Sequence, residues 1–404
     1  MSYARPIKDF CIGIFDGPHA TPKESLSGPI FLGIKNITED GRLDLSEIRH
    51  VTEEEFPRWT KRVTPRVGDV VFTYEATLHR YAVIPEDFRG CLGRRVALVR
   101  PDPRKADSRY LLYYFLSRRW RALMQSSILT GATVDRIPIA NFPNFPITLP
   151  TLQAQRRTAQ VLTAYDDLIE NNRRRLALLE ESARQLYREW FVRLRFPGYE
   201  HTRIVGELEG WERRSLSRCA TFFSGGTPSK AREDFWDGDI PWASSGELTE
   251  LRIADTALKI TAEAAEAGSR MVPHETILAV VRGMSLAKEW RISLTSREMA
   301  FNQDLKAIIA NDDVDPLYLF HALDAQRDQV RDRAGEASHG TKKLETAVLS
   351  SLPILVPPAS LQTLFREHVE PMHAQWDNLH RQNEKLRAAR DLLLPRLMSG
   401  ELVV

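Results

Sequence analysis

The longest regular pattern in the chain lies near its middle. Leu162, Tyr165, Ile169, Asn172, Leu176, Leu179, Ala183, Leu186 and Trp190 recur in alternating steps of three and four, with Asn172 the one strongly polar member. That spacing is a heptad seam, and the Leu, Ala, Glu and Arg around it, free of Gly and Pro, favour one long helix. Elsewhere the apolar runs are short. Stretches 28–38, 68–85 and 93–101, and later 238–248, 275–294 and 300–310, are rich in Val, Ile and aromatics and bounded by Gly, Pro and Asp. They predict strands of a curled, mixed sheet. "SRYLLYYFLSRRWRALMQSS" from Ser108 and "DPLYLFHALDAQRDQVRDRA" from Asp315 read as one helix after each strand set. The fold class is α+β.

The pattern repeats. "FPITLPTLQAQ" (145–155) aligns with "LPILVPPASLQ" (352–362), so that Pro150 falls on Pro357 and Gln155 on Gln362. At the same spacing Leu162 falls on Val369, Ile169 on Trp376, Leu176 on Asn383 and Leu186 on Leu393, while the segment 109–116 falls on 316–323. A constant spacing over so long a stretch marks two copies of one module. Each copy has a strand-rich part, a Pro-rich hinge and a long helix. The implied divisions are 1–136, 137–200, 201–343 and 344–404, with the Gly- and Pro-bearing stretch 196–216 as the linker into the second copy.

Two seam-bearing helices in one chain bury their seams on each other. In an antiparallel pair with Asn172 opposite Asn383, Ile169 faces Leu386, Leu176 faces Leu379, Leu179 faces Trp376 and Ala183 faces Met372. Tyr165 faces Arg390, whose stem and guanidinium would lie along the ring. A buried Asn pair lowers stability but selects one register, because a slip leaves both amides unsatisfied. The competing reading puts Asn172 in a solvent-exposed layer. About 29 residues per helix gives a rod of roughly 43 Å, holding the two modules apart about an approximate twofold. "NNRRR" (171–175) sets three arginines around that rod, as a solvated face or as a contact surface.

Composition narrows the function by exclusion. The net charge of +2, the apolar fraction of 43% and the charged fraction of 27% are those of an ordinary globular protein. Cys11, Cys91 and Cys219 are isolated, with no CxxC or HExxH to suggest a metal site. The N-terminal segment lacks a signal peptide's apolar core and no stretch is apolar enough to span a membrane, so a cytoplasmic chain is expected. "GEASHGTKK" (335–343) has its Thr before the Lys, unlike a P-loop, and no dinucleotide, nuclease or Ser-His-Asp signature is present. The chain reads as a non-catalytic binder. Polar Gly/Ser/Thr loops recur at matching places in the two copies: 16–25 and 224–234, 73–80 and 281–288, 129–138 and 337–346. Any one is an ordinary turn; recurrence at three places points to a binding surface, since Lys, Arg, Ser and Thr contact phosphates and base edges.

These segments resemble the specificity subunit of type I restriction–modification systems, the HsdS family, over essentially the whole chain. "GGTPSKAREDFWDGDIPWASSGEL" is similar to the opening of that family's target-recognition domain, and "DGPHATP" to a variant of it. "LPTLQAQRRTAQVLTAYDDLIENNRRRLALLEESARQLYREWFVRLRFPG" resembles its central region, and "LRAARDLLLPRLMSGEL" its C-terminal end. The resemblance implies two target-recognition domains separated by two long helices packed as an antiparallel coiled coil, with a pseudo-twofold. Each domain would read half of a split double-stranded DNA target. Two methyltransferase subunits would carry S-adenosylmethionine, and translocating endonuclease subunits would use ATP and magnesium, leaving this chain without a cofactor. Carried over onto the loops, the DNA-binding candidates are Thr21, Lys23, Lys35, Asn36, Tyr74, Thr77, Arg80, Thr133 and Arg136 in the first domain. In the second they are Thr227, Ser229, Lys230, Ser244, Ser245, Arg282, Ser285, His339, Thr341 and Lys342. His19 stands where the second copy has Gly226, so the half-sites should differ. The alternative is an autonomous DNA-binding or regulatory protein of the same architecture.

Overall fold

A computed structural model of the chain describes residues 3–23, 25–128, 134–201, 204–205, 207–208, 210–337 and 341–404. The chain divides into two compact units, Met1–Glu170 with Glu384–Val404, and Asn171–Asn383.

In the first unit, Cys11–Asp16, Val96–Pro101, Val70–Thr73 and Tyr81–Val83 form an antiparallel sheet in that order. A second sheet orders Arg49–His50, Ser25–Leu32 and Gly90–Leu92, the last two parallel. The strand Val70–Thr73 is buried on both faces because side chains alternate along it. Val70 and Phe72 join a core with Tyr110, Phe115, Trp120 and Phe142, whereas Val71 packs with Leu92, Val96 and Leu98.

The second unit has a five-stranded sheet ordered Ala220–Ser224, Leu305–Ala310, Ile277–Val280, Ile292–Thr295 and Arg252–Ile253. A four-stranded sheet orders Lys259–Ile260, Ile240–Ala243, Met299–Phe301 and Met271–Val272. Parallel pairing enters at Trp242–Ala300 and at Arg252–Leu294, so both units are of mixed sheet and helix.

Two expected element boundaries need correction. The helix expected from Ser108 is two, Ser108–Leu116 and Arg118–Gln125. Ser117 breaks it: its hydroxyl donates to the Tyr114 carbonyl at 2.6 Å and accepts from Trp120 N, competing with the helical ladder. Its counterpart is likewise split into Pro316–Asp324 and Arg327–Asp332. The stretch 196–216 is not all linker, because Glu212–Ser215 pairs antiparallel with Pro353–Val356 and Trp211 is buried against Phe191 and Phe196.

Gln155 and Gln362, the sequence marks of the repeat, are buried and do the same work in each unit. Gln155 accepts from Asp107 N at 2.9 Å and donates to the Pro150 and Lys105 carbonyls. Gln362 accepts from Asp315 N at 2.8 Å and donates to the Pro357 and Asp313 carbonyls. Each Asp in turn caps a helix, accepting from Tyr110 N or Tyr318 N. The glutamine ties the Pro-rich hinge to the helix start with bonds no apolar residue supplies.

The long helices exceed the expected length. The first spans Leu152–Tyr187 and ends in a π-turn, Arg188–Val192; the second spans Ala359–Ser399. Within the second unit they run antiparallel. Asn172 meets Asn383, Trp376 Nε1 donates to Glu180 at 2.9 Å, and Trp190 packs on Phe365. Ala183, Val369 and Trp376 join the core there, with Leu176, Leu179, Leu186 and Met372 against it. Within the first unit, Leu162 packs with Leu393 and Leu397. Arg390 gives its guanidinium to Asp166 at 2.7 Å and to Asp391; the ion pair, not the expected stacking on Tyr165, sets its direction.

Candidate nucleic-acid interface

In the second unit, the short strand Arg282–Gly283 pairs with Lys342–Lys343, which pairs with Gly335–Glu336. Position 283 is extended in a way only glycine adopts easily, with φ of 148°. A Cβ there would lie 3.8 Å from the Ser245 hydroxyl and 4.0 Å from that of Ser285. Arg282 and Ser285 on one turn, with Ser245 and Lys342 from two distant segments, thus share one small surface. The next loop lies alongside, since Val281 N and Arg282 N both donate to the Asp304 carbonyl. Gln303, one residue earlier, accepts from the Thr227 hydroxyl at 2.6 Å. Gly225 lets the 224–229 loop close on this turn: a Cβ would sit 2.2 Å from the Phe301 carbonyl oxygen. Ser229 and Lys230 are exposed on that loop. Ser244 is half-buried, its N–H bound to Glu247.

The first unit builds the equivalent surface. Glu75 bridges Arg136, as Arg282 pairs with Lys343. Ile137 N donates to the Tyr74 carbonyl at 2.8 Å, as Leu344 N does to that of Val281 at 2.8 Å. All four correspondences fall at the spacing of the sequence repeat. Gly17 plays the part of Gly225, since a Cβ would meet the Gly93 carbonyl oxygen at 2.3 Å. Thr21, Lys23 and Arg136 are exposed, and Thr77 is half-buried.

Several expected contact residues are otherwise committed. Asn36 is 3% exposed; its amide accepts from Gly33 N and donates to the Asp44 and Glu47 carbonyls, so it holds a turn and does not face a ligand. Tyr74 is buried too, its hydroxyl beside His19 Nε2 at 3.2 Å. Burial first, then Asp16 and Glu75, push that hydroxyl up to about 12. Arg80 turns toward the Ile37 carbonyl and Glu39, and Lys35 pairs with Glu47 at 3.0 Å. Thr341 and Lys342 are half-buried on the strand edge. Thr133 and His339 lie outside the described residues. Sequence reasoning missed Gln303; its signal was the polar "NQD" between two apolar runs, the mark of an exposed turn.

The thiols offer no ready nucleophile. Burial raises Cys91 to about 12, and burial with Asp9 raises Cys11 to about 11. Among the described residues no helix is long and apolar enough to cross a membrane.

Each unit thus gathers basic and hydroxyl side chains on a loop surface, an arrangement suited to nucleic-acid contact. The chain belongs to the type I restriction modification DNA specificity domain family, whose model matches residues 30–181 and 208–387. It is 24% identical over 380 residues to the type I restriction enzyme MjaIX specificity subunit of Methanocaldococcus jannaschii, covering 88% of this chain and 82% of that one. Over 336 residues it is 22% identical to the HindI specificity subunit of Haemophilus influenzae, covering 67% and 72%. Its fold is shared with the crystal structure of the type I restriction–modification S subunit from M. genitalium: TM-score 0.58, 17% identity, 98% of this chain and 95% of that chain. The chain is a specificity subunit, a non-catalytic component of a restriction–modification system.

Proposed function

We propose that each domain reads one half of a bipartite DNA target through its loop cluster, and that the paired long helices set the unread gap. The observation that carries this reading is the recurrence of one strand-edge pairing, Glu75 with Arg136 and Arg282 with Lys343, in both units. Equivalent positions hold different chemistry: glutamate faces arginine, and Thr77 stands where the second copy has Met284. Glu75 is held in an ion pair with Arg95 at 3.0 Å, whereas Arg282 is exposed and of the type that donates to guanine, so the two halves of the target differ. Helices of 36 and 41 residues rise about 54 and 62 Å, longer than the roughly 34 Å of one DNA turn. In this reading two methyltransferase subunits dock on the chain and methylate adenine N6 with S-adenosylmethionine. Translocating endonuclease subunits cleave, using ATP and magnesium. The complex works in the cytoplasm.

Co-expression with its methyltransferase in a methylation-free host, followed by mapping of N6-methyladenine, tests this. A split, asymmetric motif with a fixed gap is expected. No motif from an associated, folded complex would favour an autonomous binder.

A further inference from the structure

We propose that Met284 is a base-reading residue of the second domain, contacting the 5-methyl group of a thymine. This rests on the proposed reading of DNA by the loop clusters.

Met284 is 77% exposed. It sits at the centre of the polar surface described above, between Gly283 and Ser285 and two residues from Arg282. A lone exposed apolar side chain on a protein surface is common, but this one is presented by a braced turn. Leu286 beyond it is fully buried. Ala287 N donates to the Met284 carbonyl at 3.2 Å, and Lys288 N and Glu289 N both donate to that of Ser285 at 2.8 Å. Trp290, also buried, donates from its indole to the Val280 carbonyl at 3.1 Å, closing the loop from the far side. The backbone carrying Met284 is therefore held in place before any ligand arrives, as a recognition residue requires.

The chemistry selects the ligand group. Arg282, Lys342, Ser245 and Ser285 present donors suited to phosphates and to guanine or other base edges. A methionine among them has no polar partner to offer. The major groove displays one apolar group, the thymine methyl, which the unbranched thioether side chain can cover. The equivalent position in the first unit is Thr77, two residues after Glu75 as Met284 is two after Arg282, and it is half-buried. The two units therefore differ here, and a change at Met284 acts on one half-site.

The experiment uses the complex of the full chain with its methyltransferase, with wild type, Met284→Ala and Met284→Thr compared by methylome. Both variants are expected to relax one thymine-bearing position in one half-site and to leave the other half and the gap unchanged. Synthetic duplexes with uracil replacing each thymine in turn then isolate the methyl group. At one position wild-type binding should fall about fourfold, the worth of one buried methyl-sized group, while Met284→Ala shows no further loss. A wild-type motif left unchanged by both variants, or uracil substitutions that affect wild type and variant alike, would overturn the proposal alone. A wild-type complex that yields no motif would overturn the DNA-reading function itself, and this proposal with it.

Discussion

Asn172 Nδ2 donates to Asn383 Oδ1 at 3.0 Å, between residues that are 5% and 2% exposed. The two long helices thus meet on a buried amide pair, and the solvent-exposed alternative for Asn172 does not hold. Asn172→Leu or Asn383→Leu alone strands the remaining amide and should cost about 1–3 kcal/mol. The double Leu variant should recover most of that loss, because apolar residues replace both partners. Urea unfolding of the four chains, treated as a double-mutant cycle, measures the coupling; equal, additive losses would mean that the amides do not interact.

Gln155→Ala and Gln362→Ala each remove three bonds at a hinge. Each should destabilise its own unit by about 2–3 kcal/mol. Hydrogen exchange localises the effect: the Asp107 amide should lose protection in the first variant and the Asp315 amide in the second.

His321 and His373 meet through their Nε2 atoms at 3.0 Å inside the second unit. Arg252 and Asp377 lie on the His373 side, and Asp324, Arg184 and Arg327 on the His321 side. Burial lowers His321 from 6.5 to about 4, opposed by Asp324 and aided by Arg184 and Arg327. His373 is lowered too, by burial and then by its neighbours. Between those values the unfolded chain binds more protons than the folded one. Stability is therefore full above pH 6.5 and falls as pH drops toward 4, by about 2 kcal/mol at pH 5 for His321, with His373 acting in the same direction. Denaturant midpoints at pH 7 and pH 5 should show the loss, and His321→Gln should flatten it.

Lys342→Ala removes a charge from the strand edge of the second loop cluster. If that charge meets phosphate, affinity falls about equally for all DNA sequences, and the salt dependence of binding loses about one unit of slope. A change in the methylated motif without a change in slope would instead place Lys342 on a base.

Gly225→Ala drives a methyl group against the Phe301 carbonyl. The loop must open, at a cost of about 1–3 kcal/mol. Recognition of one half-site should fail while the complex with the methyltransferase persists, as a pull-down alongside the methylome would show. Gly17→Ala should do the same to the other half.

The seam, the duplication and the hinge glutamines were legible in the sequence because they are periodic or recur at fixed spacing. The Asn172–Asn383 pairing was open to proposal from the sequence, since placing the two opposite each other makes nearly every layer apolar on apolar; the buried bond between them decides it against a solvent-exposed Asn172. The breaks at Ser117 and after Asp324 were not, because a hydroxyl or a turn overrides a helical pattern through bonds that composition does not record. The site depended most on tertiary structure. Asn36 and Tyr74 are hydrogen-bonding side chains in or beside polar loops, as Ser245 and Arg282 are, yet the fold turns the first two inward and brings the others together around Gly283. Which polar side chain spends its hydrogen bonds on its own backbone, and which is left to face a ligand, is decided by strand pairings between residues far apart in the chain.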